Sequence, residues 1–395
     1  MRYLPGFRER GFDVTVFTGT PPENEVIDPE LKRAWAAYPV GRVLPEAAVA
    51  GVPVHRVRLP DRKGWRRTAL FNRAFLRFCR DPATRPDLIQ LVGTLRAQSW
   101  PMIRRLRRMG IPVLYAVTVA PKKLPARFAL NPERLATTLL FNALDCVVTN
   151  NRPLLDFVRA AGIGTRVEVI ANGVNLKVFT DRADPGERAR VRESLNIPAA
   201  AFVVITVGAV APRKGTDILV EAAAALMRRH DQLHLVVVGP RKDLDHPGLD
   251  AFGSKLDALI AASGNAQRFH FTGMSDDVAP LLRAADVFVL PSEREGMPNS
   301  VLEAMACRLP VVITPFIGLS SDLGEAGREF MLAERRSESL AQVLNALVMD
   351  PEGRAGLADR GRAWIERTMD VERSIDRYAA LYRELIGQPS VRVAD

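Results

Sequence analysis

The stretch FVVITVGAVAPRKGTDILVEA, residues 202–222, contains a strand, a turn and a helix in succession. Six apolar or β-branched residues precede Gly208, as in a strand that is buried on both faces of a parallel sheet. The spacing of apolar residues after Gly215 is helical, with Thr216 or Asp217 as the N-cap. Because parallel strands need such a crossover helix, residues 202–222 predict one βα unit of a parallel sheet.

The same unit recurs on both sides of residues 202–222. Further strand-like runs lie at 12–19, 87–93, 111–119, 145–150, 167–172, 233–240, 267–273, 285–292 and 309–315. Helical stretches separate most of these runs, and only helical patterns follow residue 337. This alternation predicts an α/β fold of doubly wound, Rossmann-like sheets.

A charged segment without a strand, residues 175–200, interrupts the alternation. A chain of 395 residues is also long enough for two cores. We therefore predict an N-terminal domain at 1–178, a second domain at 179–371, and a C-terminal helix at 372–388 that packs back toward the first domain. Ligands of doubly wound folds bind at the carboxyl ends of the strands, so we expect a binding cleft between two facing domains.

Composition limits the class of protein. No apolar run approaches the roughly 18 residues of a membrane-spanning helix, and the N-terminus has no signal-peptide pattern, so a cytoplasmic protein is expected. The three cysteines, Cys79, Cys146 and Cys307, show no C-x-x-C pairing and are interpreted as buried thiols.

Residues 1–150 contain 25 Lys and Arg against 12 Asp and Glu, which favours an anionic partner. No nucleic-acid-binding module accompanies these charges, so nucleic acid is not the expected partner.

Residues 58–80 hold eight of these cations, interleaved with aromatic side chains such as Trp65, Phe71 and Phe75. As a helix from about residue 66, the segment is suited to an anionic membrane surface, which would place the protein on the inner face of the plasma membrane. The alternative is a helix that packs its apolar side chains into the domain core and leaves its arginines solvated.

Two loops carry the candidate chemistry, and the first follows the strand at 202–207. Backbone amides at a helix start, beside Arg213, Lys214 and Gly215, form an anion site suited to a diphosphate. The alternative is an ordinary βα turn with solvated cations.

The second loop opens the stretch SEREGMPNSVLEAMACRLPVVIT, residues 292–314. Glu295 and Gly296 lie in this loop, Pro298 marks the start of a helix, and Glu303 lies about one turn into it. Carboxylates beside a diphosphate are suited to accept hydrogen bonds from sugar hydroxyls. Glu303 could accept from the hydroxyls of a ribose, and Glu295 could accept from a hexose hydroxyl near the reacting carbon. The alternative is that Glu295 complements the helix dipole and that Glu303 faces solvent. The backbone amides expected to face the ligand are those of Met297, Asn299 and Ser300.

Together these motifs resemble glycosyltransferase family 4, the retaining nucleotide-sugar transferases of the GT-B fold. The resemblance covers residues 11 to about 385 and rests on VGAVAPRKGTDILVEA, PSEREGMPNSVLEAMACRLPVV, RFHFTG, LLRAADVFVLPS and VEVIANGVNLKVF. It implies transfer of a sugar from a nucleotide-diphosphate sugar to a hydroxyl of a glycan, either lipid-linked or in a growing polysaccharide of the cell envelope.

The resemblance also implies a role for each site residue. Glu295 would contact the donor sugar and stabilise oxocarbenium charge, Glu303 would bind the ribose, and Lys214 with Arg213 would neutralise the diphosphate. The backbone of Met274 would meet the base. The remaining donor-binding positions are Gly215, Gly296, Met297, Asn299 and Ser300. The resemblance also implies no metal ion and no cofactor besides the donor, and the sequence agrees, since no Asp-x-Asp directly follows a strand and the chain has no His cluster.

The chain departs from the family pattern at three places. Family members often carry an Arg where this chain has Ala209, and a His where it has Thr118. They also begin with a buried strand and a Gly-rich loop ahead of a segment like residues 10–19, so either the true start lies upstream or the N-terminal domain is truncated. A retaining mechanism tolerates the loss of the His, because the departing phosphate can accept the proton of the acceptor.

These departures leave two alternatives open. A degenerate GT-B scaffold would bind a nucleotide sugar without turnover, which Ala209, Thr118 and the absent first strand favour. A GT-B nucleotide-sugar epimerase would be expected to use carboxylates and His in both domains, and His55 is the only His before residue 179. A dehydrogenase is disfavoured because no G-x-G-x-x-G follows a strand.

Overall fold

The computed structural model divides the chain into two compact units. Unit 1 comprises Met1–Ile170 and Ser374–Asp395, and unit 2 comprises Ala171–Arg373. The divisions thus fall after residues 170 and 373, where the sequence predicts 178 and 371. The residues that the structure describes are 3–21, 29–44, 47–49, 51–61, 64–93, 95–118, 132–181, 184–241 and 249–387. Residue 388, the predicted end of the last helix, lies outside them.

The described strands of unit 1 form two sheets. They are β1 (Val16–Gly19), β2 (Ala47–Val49), β3 (Val52–Val57), β4 (Ile89–Val92), β5 (Val113–Val117), β6 (Cys146–Thr149) and β7 (Val167–Val169). One sheet has the order β1-β3-β2, with β1 parallel and β2 antiparallel to β3. The other consists of four parallel strands in the order β4-β5-β6-β7. Among the described strands, β1 and β4 each pair with one neighbour only, so each is an edge.

The sequence pattern does not predict β2 and β3. The two strands form a hairpin around Gly51, whose φ of +75° lies in the left-handed region that favours glycine. Val52, Val54 and Val57 of β3 are buried, but Pro53 within the run weakens its strand signal.

The helices of unit 1 are α1 to α6 and the last helix of the chain, which enters the unit at Ser374. They are α1 (Leu4–Glu9), α2 (Pro29–Ala36), α3 (Trp65–Phe78), α4 (Trp100–Arg108), α5 (Pro132–Asn142), α6 (Arg152–Ala160) and α14 (Val371–Leu385). α14 packs against α1, since the rings of Phe7 and Tyr382 are 5.2 Å apart and Arg10 Nε lies 2.6 Å from Asp376 Oδ1.

α3 packs aromatic side chains into the core of unit 1, as the alternative interpretation of residues 58–80 predicts, and this packing does not involve its outward face. The rings of Phe71 and Phe75 lie 5.7 and 4.9 Å from that of Phe17 on β1. Trp65, in contrast, is 69% exposed. The outward cations of the helix are Arg66, Arg73 and Arg77. Two further cations of the segment, Arg62 and Lys63, lie outside the described residues.

Unit 2 contains a parallel sheet of six strands among its described residues. They are β8 (Phe202–Val207), β9 (Leu233–Val238), β10 (Phe269–Gly273), β11 (Val287–Leu290), β12 (Val311–Ile313) and β13 (Met331–Leu332). All were predicted as strands except β13, which has two residues. Their order, β10-β9-β8-β11-β12-β13, is the Rossmann order, and it reverses between β8 and β11. Ligands of such sheets bind outside the carboxyl ends of the strands at this reversal.

The helices of unit 2 flank this sheet. They are α7 (Glu187–Ser194), α8 (Thr216–Met227), α9 (Leu249–Ala262), α10 (Ala279–Arg283), α11 (Asn299–Ala306), α12 (Ser337–Met349) and α13 (Pro351–Thr368). Along β8, Val203 and Ile205 belong to one apolar cluster and Val204 to another. The strand is therefore buried on both faces, as the sequence predicts.

The cysteines and the helix lengths agree with the limits drawn from composition. Cys79, Cys146 and Cys307 are buried and unpaired. Burial raises the pKa of these thiols to about 12, 11 and 12, respectively. Across the part of the chain that is described, no helix is both long and apolar enough to span a membrane.

Candidate functional site

The loop after β8 carries the predicted cations. Pro212–Lys214 form a single 3-10 turn, and Gly215, with a φ of +69°, leads from it into α8. A Cβ on Gly215 would lie 2.2 Å from the carbonyl oxygen of Pro291, which follows β11. Only glycine therefore allows this loop to approach the end of β11 so closely. The side chain of Lys214 lies over the end of β8, with Nζ 3.5 Å from the position of a Cβ on Gly208.

Lys214 and Glu295 form an ion pair at the reversal of the sheet order. Lys214 Nζ lies 2.7 Å from Glu295 Oε1, and Glu295 is 8% exposed. Arg213 Nη1 lies 3.4 Å from the same oxygen and donates to the carbonyl of Arg294 at 2.8 Å. Lys214 follows β8 and Glu295 follows β11, so the pair connects the two strands between which the order reverses. Because the pair is largely removed from water, solvent screens it less than it would an exposed pair.

Hydrogen bonds hold the backbone around Glu295 on two sides. The amide of Glu293 donates to the carbonyl of Arg213 at 2.8 Å. Ile317 donates to the carbonyl of Glu293 at 2.9 Å and accepts from the amide of Glu295 at 3.1 Å. A Cβ on Gly318 would lie 2.1 Å from the carbonyl oxygen of Glu295. The position of Glu295 is therefore set by its backbone as well as by its ion pair.

α11 begins directly behind this loop. Its N-cap residue, Pro298, is extended, and no side chain caps the helix. The side chain of Asn299 is used elsewhere, since its Oδ1 accepts from Asn172 Nδ2 at 2.9 Å. Met297 is 6% exposed and packs into the apolar core. The structure thus places the predicted backbone donors, including Ser300, at a helix start without a side-chain cap.

Glu303 lies in the body of α11 and is 6% exposed. The alternative that Glu303 faces solvent is therefore wrong. Its neighbours Val301, Leu302, Ala304 and Met305 are all buried, so this helix is covered on every side. Charged side chains are almost never so buried unless they are paired.

Met274 lies at the same carboxyl edge of the sheet but two strands away from β8. It directly follows β10 and is 71% exposed. The intervening strand ends are linked, since Gly239 donates to the carbonyl of Gly273 and Gly208 donates to that of Val238, both at 2.8 Å. The structure does not bring the Met274 side chain into the ion-paired cluster.

Arg335 is a site neighbour that sequence reasoning missed. It lies between β13 and α12. Its Nε donates to the carbonyl of Pro291 at 3.1 Å and its Nη2 to that of Pro212 at 2.9 Å. No motif marks this residue, because a side chain that reaches two distant carbonyls leaves no local pattern in the sequence.

Two neutral side chains form hydrogen bonds among the described residues near the carboxyl edge of the four-stranded sheet in unit 1. Asn150, 4% exposed, donates through Nδ2 to the carbonyl of Thr118 at 3.3 Å. The Tyr115 hydroxyl donates to the carbonyl of Gly93 at 2.7 Å. In the portion of the chain that is described, Asn150 Oδ1 has no hydrogen-bond partner, and no group of three or more His, Cys, Asp or Glu could hold a metal ion.

Several known proteins resemble this chain in sequence. A lipopolysaccharide core biosynthesis glycosyltransferase, LpsE of Rhizobium meliloti, is 30% identical over 252 residues, 63% of this chain and 66% of LpsE. D-inositol 3-phosphate glycosyltransferase 2 of Catenulispora acidiphila is 31% identical over 306 residues, 70% of this chain and 69% of that protein. The chain spans about three-fifths of the length of other relatives named D-inositol 3-phosphate glycosyltransferase, at 62% and 60%.

Solved structures resemble the fold. Sucrose-phosphate synthase from Thermosynechococcus elongatus has a TM-score of 0.74 at 21% identity, with 96% of this chain and 91% of that chain covered. Anabaena HepE in complex with UDP-glucose has a TM-score of 0.65 at 21% identity, with 85% of this chain and 86% of that chain covered. At this identity, the likeness is one of fold alone, the GT-B fold.

Two family models match adjoining parts of the chain. The glycosyl transferase 4-like domain matches residues 1–173, and the glycosyl transferases group 1 model matches residues 201–350, which include the ion pair of Lys214 and Glu295. The alignment also covers 69% of the Catenulispora relative. Together these matches show that the chain belongs to the group 1 glycosyl transferases of glycosyltransferase family 4.

Proposed function

We propose that the protein is a retaining glycosyltransferase that moves a sugar from a nucleotide-diphosphate sugar to a hydroxyl of a glycan without a metal ion. The observation that carries this proposal is the buried pair of Lys214 and Glu295 at the reversal of a Rossmann-ordered sheet. Such a position combines an anion-binding cation with a carboxylate suited to sugar hydroxyls. The names of the relatives and the UDP-glucose bound to HepE support the same reaction class.

The nucleoside diphosphate that leaves in this reaction carries negative charge that the site must balance. Lys214 and Arg213 supply two cations. The starts of α8 and α11 lack side-chain caps, so their first amides can donate to phosphate oxygens. Preorganised donors and cations of this kind stabilise the departing charge without a metal ion.

The two carboxylates serve different parts of the donor in this proposal. Glu295 accepts a hydrogen bond from the transferred sugar and stabilises the positive charge that develops at the anomeric carbon. Glu303, which is buried one turn into α11, accepts from the ribose hydroxyls. Because Lys214 Nζ is 2.7 Å from Glu295 Oε1, the reacting sugar and the diphosphate are held side by side.

During transfer, the bond between the anomeric carbon and the diphosphate oxygen breaks, and a bond to the acceptor oxygen forms on the same face of the sugar. The proton of the acceptor hydroxyl passes to the departing phosphate oxygen. No side-chain base is needed for this step, which fits Thr118 at the place where family members often carry a His.

We further propose a cell-envelope glycan, lipid-linked or part of a growing polysaccharide, as the acceptor. The name of LpsE supports this assignment. The outer faces of α3 and α4 also support it, since neither helix contains an acidic residue and Trp65 is 69% exposed. A basic surface with an exposed Trp is suited to the anionic inner face of the plasma membrane, where a cytoplasmic enzyme would meet such an acceptor.

The competing function is a GT-B protein that binds a nucleotide sugar without turnover. Ala209 favours it, because the donor diphosphate has one cation fewer than in many family members. Binding of a nucleoside diphosphate, combined with neither hydrolysis nor transfer of the sugar, would support this alternative.

A thermal-shift panel of UDP-, GDP- and ADP-sugars tests the proposal without knowledge of the acceptor. We expect one nucleotide class to raise the unfolding temperature of the wild type and of the control Lys177→Ala, in which an exposed lysine of unit 2 is lost. The same ligand should stabilise Lys214→Ala much less. A panel in which no nucleotide sugar stabilises the wild type would contradict the proposal.

A further inference from the structure

Arg335 connects the two loops that carry the candidate donor site. Its guanidinium donates from Nε to the carbonyl of Pro291 at 3.1 Å and from Nη2 to that of Pro212 at 2.9 Å. Pro212 begins the turn that contains Lys214, and Pro291 follows β11 in the segment that leads to Glu295. One side chain thus holds both strand ends at the reversal of the sheet order.

The distance between these loops determines the geometry of the ion pair. They already touch, since the amide of Glu293 donates to the carbonyl of Arg213 at 2.8 Å and a Cβ on Gly215 would lie 2.2 Å from the oxygen of Pro291. A small separation of the loops would therefore move Lys214 relative to Glu295. Misplacement of reacting groups by about 1 Å can cost on the order of 100-fold in rate.

The chemistry of Arg335 is suited to this task. A planar guanidinium donates in two fixed directions, whereas an ammonium is a point charge on a flexible stem. Both acceptors are neutral carbonyls, and within the described residues no carboxylate lies within 4.0 Å of this guanidinium. The neighbouring Arg336 instead donates from Nε to Glu334 Oε2 at 2.9 Å. Within the described residues its side chain forms no hydrogen bond to either loop, which makes Arg336 a matched control.

We propose that Arg335 is a positioning residue of the donor site, which holds the loop of Lys214 and the loop of Glu295 at the separation that diphosphate binding requires. This inference rests on the proposed function, since it assigns a role within the same site. Arg335 acts through Lys214 and Glu295 and does not itself touch the reacting atoms.

The test measures binding of UDP, GDP and ADP to the full chain by titration calorimetry. For the nucleotide that binds the wild type, we expect Arg335→Gln to weaken binding by about 10-fold and Arg336→Gln by less than about 2-fold. Both substitutions remove one positive charge from adjacent positions, so a general electrostatic effect would weaken both equally. An equal effect of the two would overturn the inference.

Arg335→Lys separates positioning from charge, because lysine keeps the charge and loses the planar fork. We expect its affinity to fall nearly as far as that of Arg335→Gln, while its unfolding temperature stays close to that of Arg336→Gln. Wild-type affinity in Arg335→Lys would show that only the charge matters and would overturn the positioning role.

A double substitution tests whether Arg335 acts through Lys214. In a Lys214→Ala background, Arg335→Gln should cause no further loss of affinity, and a full additional 10-fold loss would contradict the inference. If the wild type binds none of the three nucleotides, the proposed function fails together with the inference. If the wild type binds one and Arg335→Gln binds it equally well, the inference alone fails.

Discussion

The described contacts at the carboxyl ends of the strands differ between the two units. In unit 2, Arg213 and Lys214 meet the buried carboxylate of Glu295, at 3.4 and 2.7 Å. In unit 1, the corresponding edge presents Asn150 and the carbonyl of Thr118, joined by a neutral hydrogen bond of 3.3 Å. Similar α/β architecture therefore supports a preorganised ion pair in unit 2 and, among the described residues of unit 1, a hydrogen bond between neutral groups at the ends of β5 and β6.

In the proposed function, this difference places the ion-paired part of donor recognition in unit 2. A diphosphate is bound by cations and helix starts, both of which unit 2 provides at one edge. A neutral amide discriminates among hydroxyl groups through hydrogen bonds without long-range attraction. Three predictions test this division and one tests the opposite edge of the unit 2 sheet, in order of decreasing effect.

The largest effect is expected from Glu295→Gln. The substitution keeps the shape of the side chain but removes the charge proposed to stabilise the sugar in the transition state, so turnover should fall on the order of 100- to 1000-fold. Affinity for the nucleoside diphosphate should change little, because Lys214 remains. The control is Glu293→Gln, an exposed carboxylate in the same loop. Turnover in Glu295→Gln equal to that of the control would remove Glu295 from the mechanism.

Gly215→Ala should produce the next largest effect, in stability. Gly215 and Gly264 have nearly equal φ angles, +69° and +68°, but a Cβ on Gly215 meets the Pro291 oxygen at 2.2 Å, whereas one on Gly264 meets nothing within 4 Å. Gly264→Ala should cost about 1 kcal/mol from backbone strain alone. Gly215→Ala should cost about 3 kcal/mol or more and also weaken nucleotide binding. If chemical denaturation gave the two variants equal losses of unfolding free energy, the loops that carry Gly215 and Pro291 would have to separate easily.

The β-branched runs of unit 2 predicted its fold because these strands are buried on both faces and bounded by Gly or Pro. β8 is the clearest case, since Val203 and Val204 face opposite apolar clusters. β3 was missed because Pro53 interrupts it, and β13 because two residues are too few for a pattern. These elements depend on tertiary pairing more than on local sequence.

The sequence predicts site residues where charged side chains follow predicted strands. The loops of Lys214 and Glu295 stand out because cations or carboxylates follow strands. The burial of Glu303 could have been inferred from the apolar residues on both sides of it in α11. Arg335 could not have been inferred, because its partners are main-chain carbonyls at positions 212 and 291, which carry no side-chain signal.

A third prediction concerns the amino-terminal edge of the unit 2 sheet, opposite the charged site. His234 on β9 and His270 on β10 lie 2.9 Å apart between Nδ1 and Nε2, and burial lowers the pKa of both, that of His234 to about 4. Between pH 6.5 and 4 the unfolded chain therefore binds protons that the folded chain does not, so stability should fall as pH decreases through this range. His234 alone should contribute a loss on the order of 3 kcal/mol, and this contribution should level off below pH 4.

The acid-induced loss can be separated from the titration of other groups with His234→Gln. The variant should show a flatter dependence of unfolding free energy on pH between 4 and 6.5. Glutamine takes up no proton on unfolding, whereas His234 does. Parallel curves for the variant and the wild type would show that the pair does not control acid stability. The ion pair of Lys214 and Glu295 lies at the other end of the strands, so the variant should retain nucleotide affinity at pH 7.5.

The smallest effect is expected from Asn150→Ala, and it tests the neutral side of the comparison. The substitution removes the hydrogen bond to the Thr118 carbonyl and a buried amide oxygen that has no partner among the described residues. Loss of the bond is unfavourable and loss of the unpaired oxygen is favourable, so the free energy of unfolding should change by about 1 kcal/mol or less. Affinity for the nucleoside diphosphate should stay within about 2-fold of the wild type, because the charges that bind it belong to unit 2. A larger loss of nucleotide affinity, measured by the same calorimetry, would mean that the neutral edge takes part in donor binding and that the division between the units is wrong.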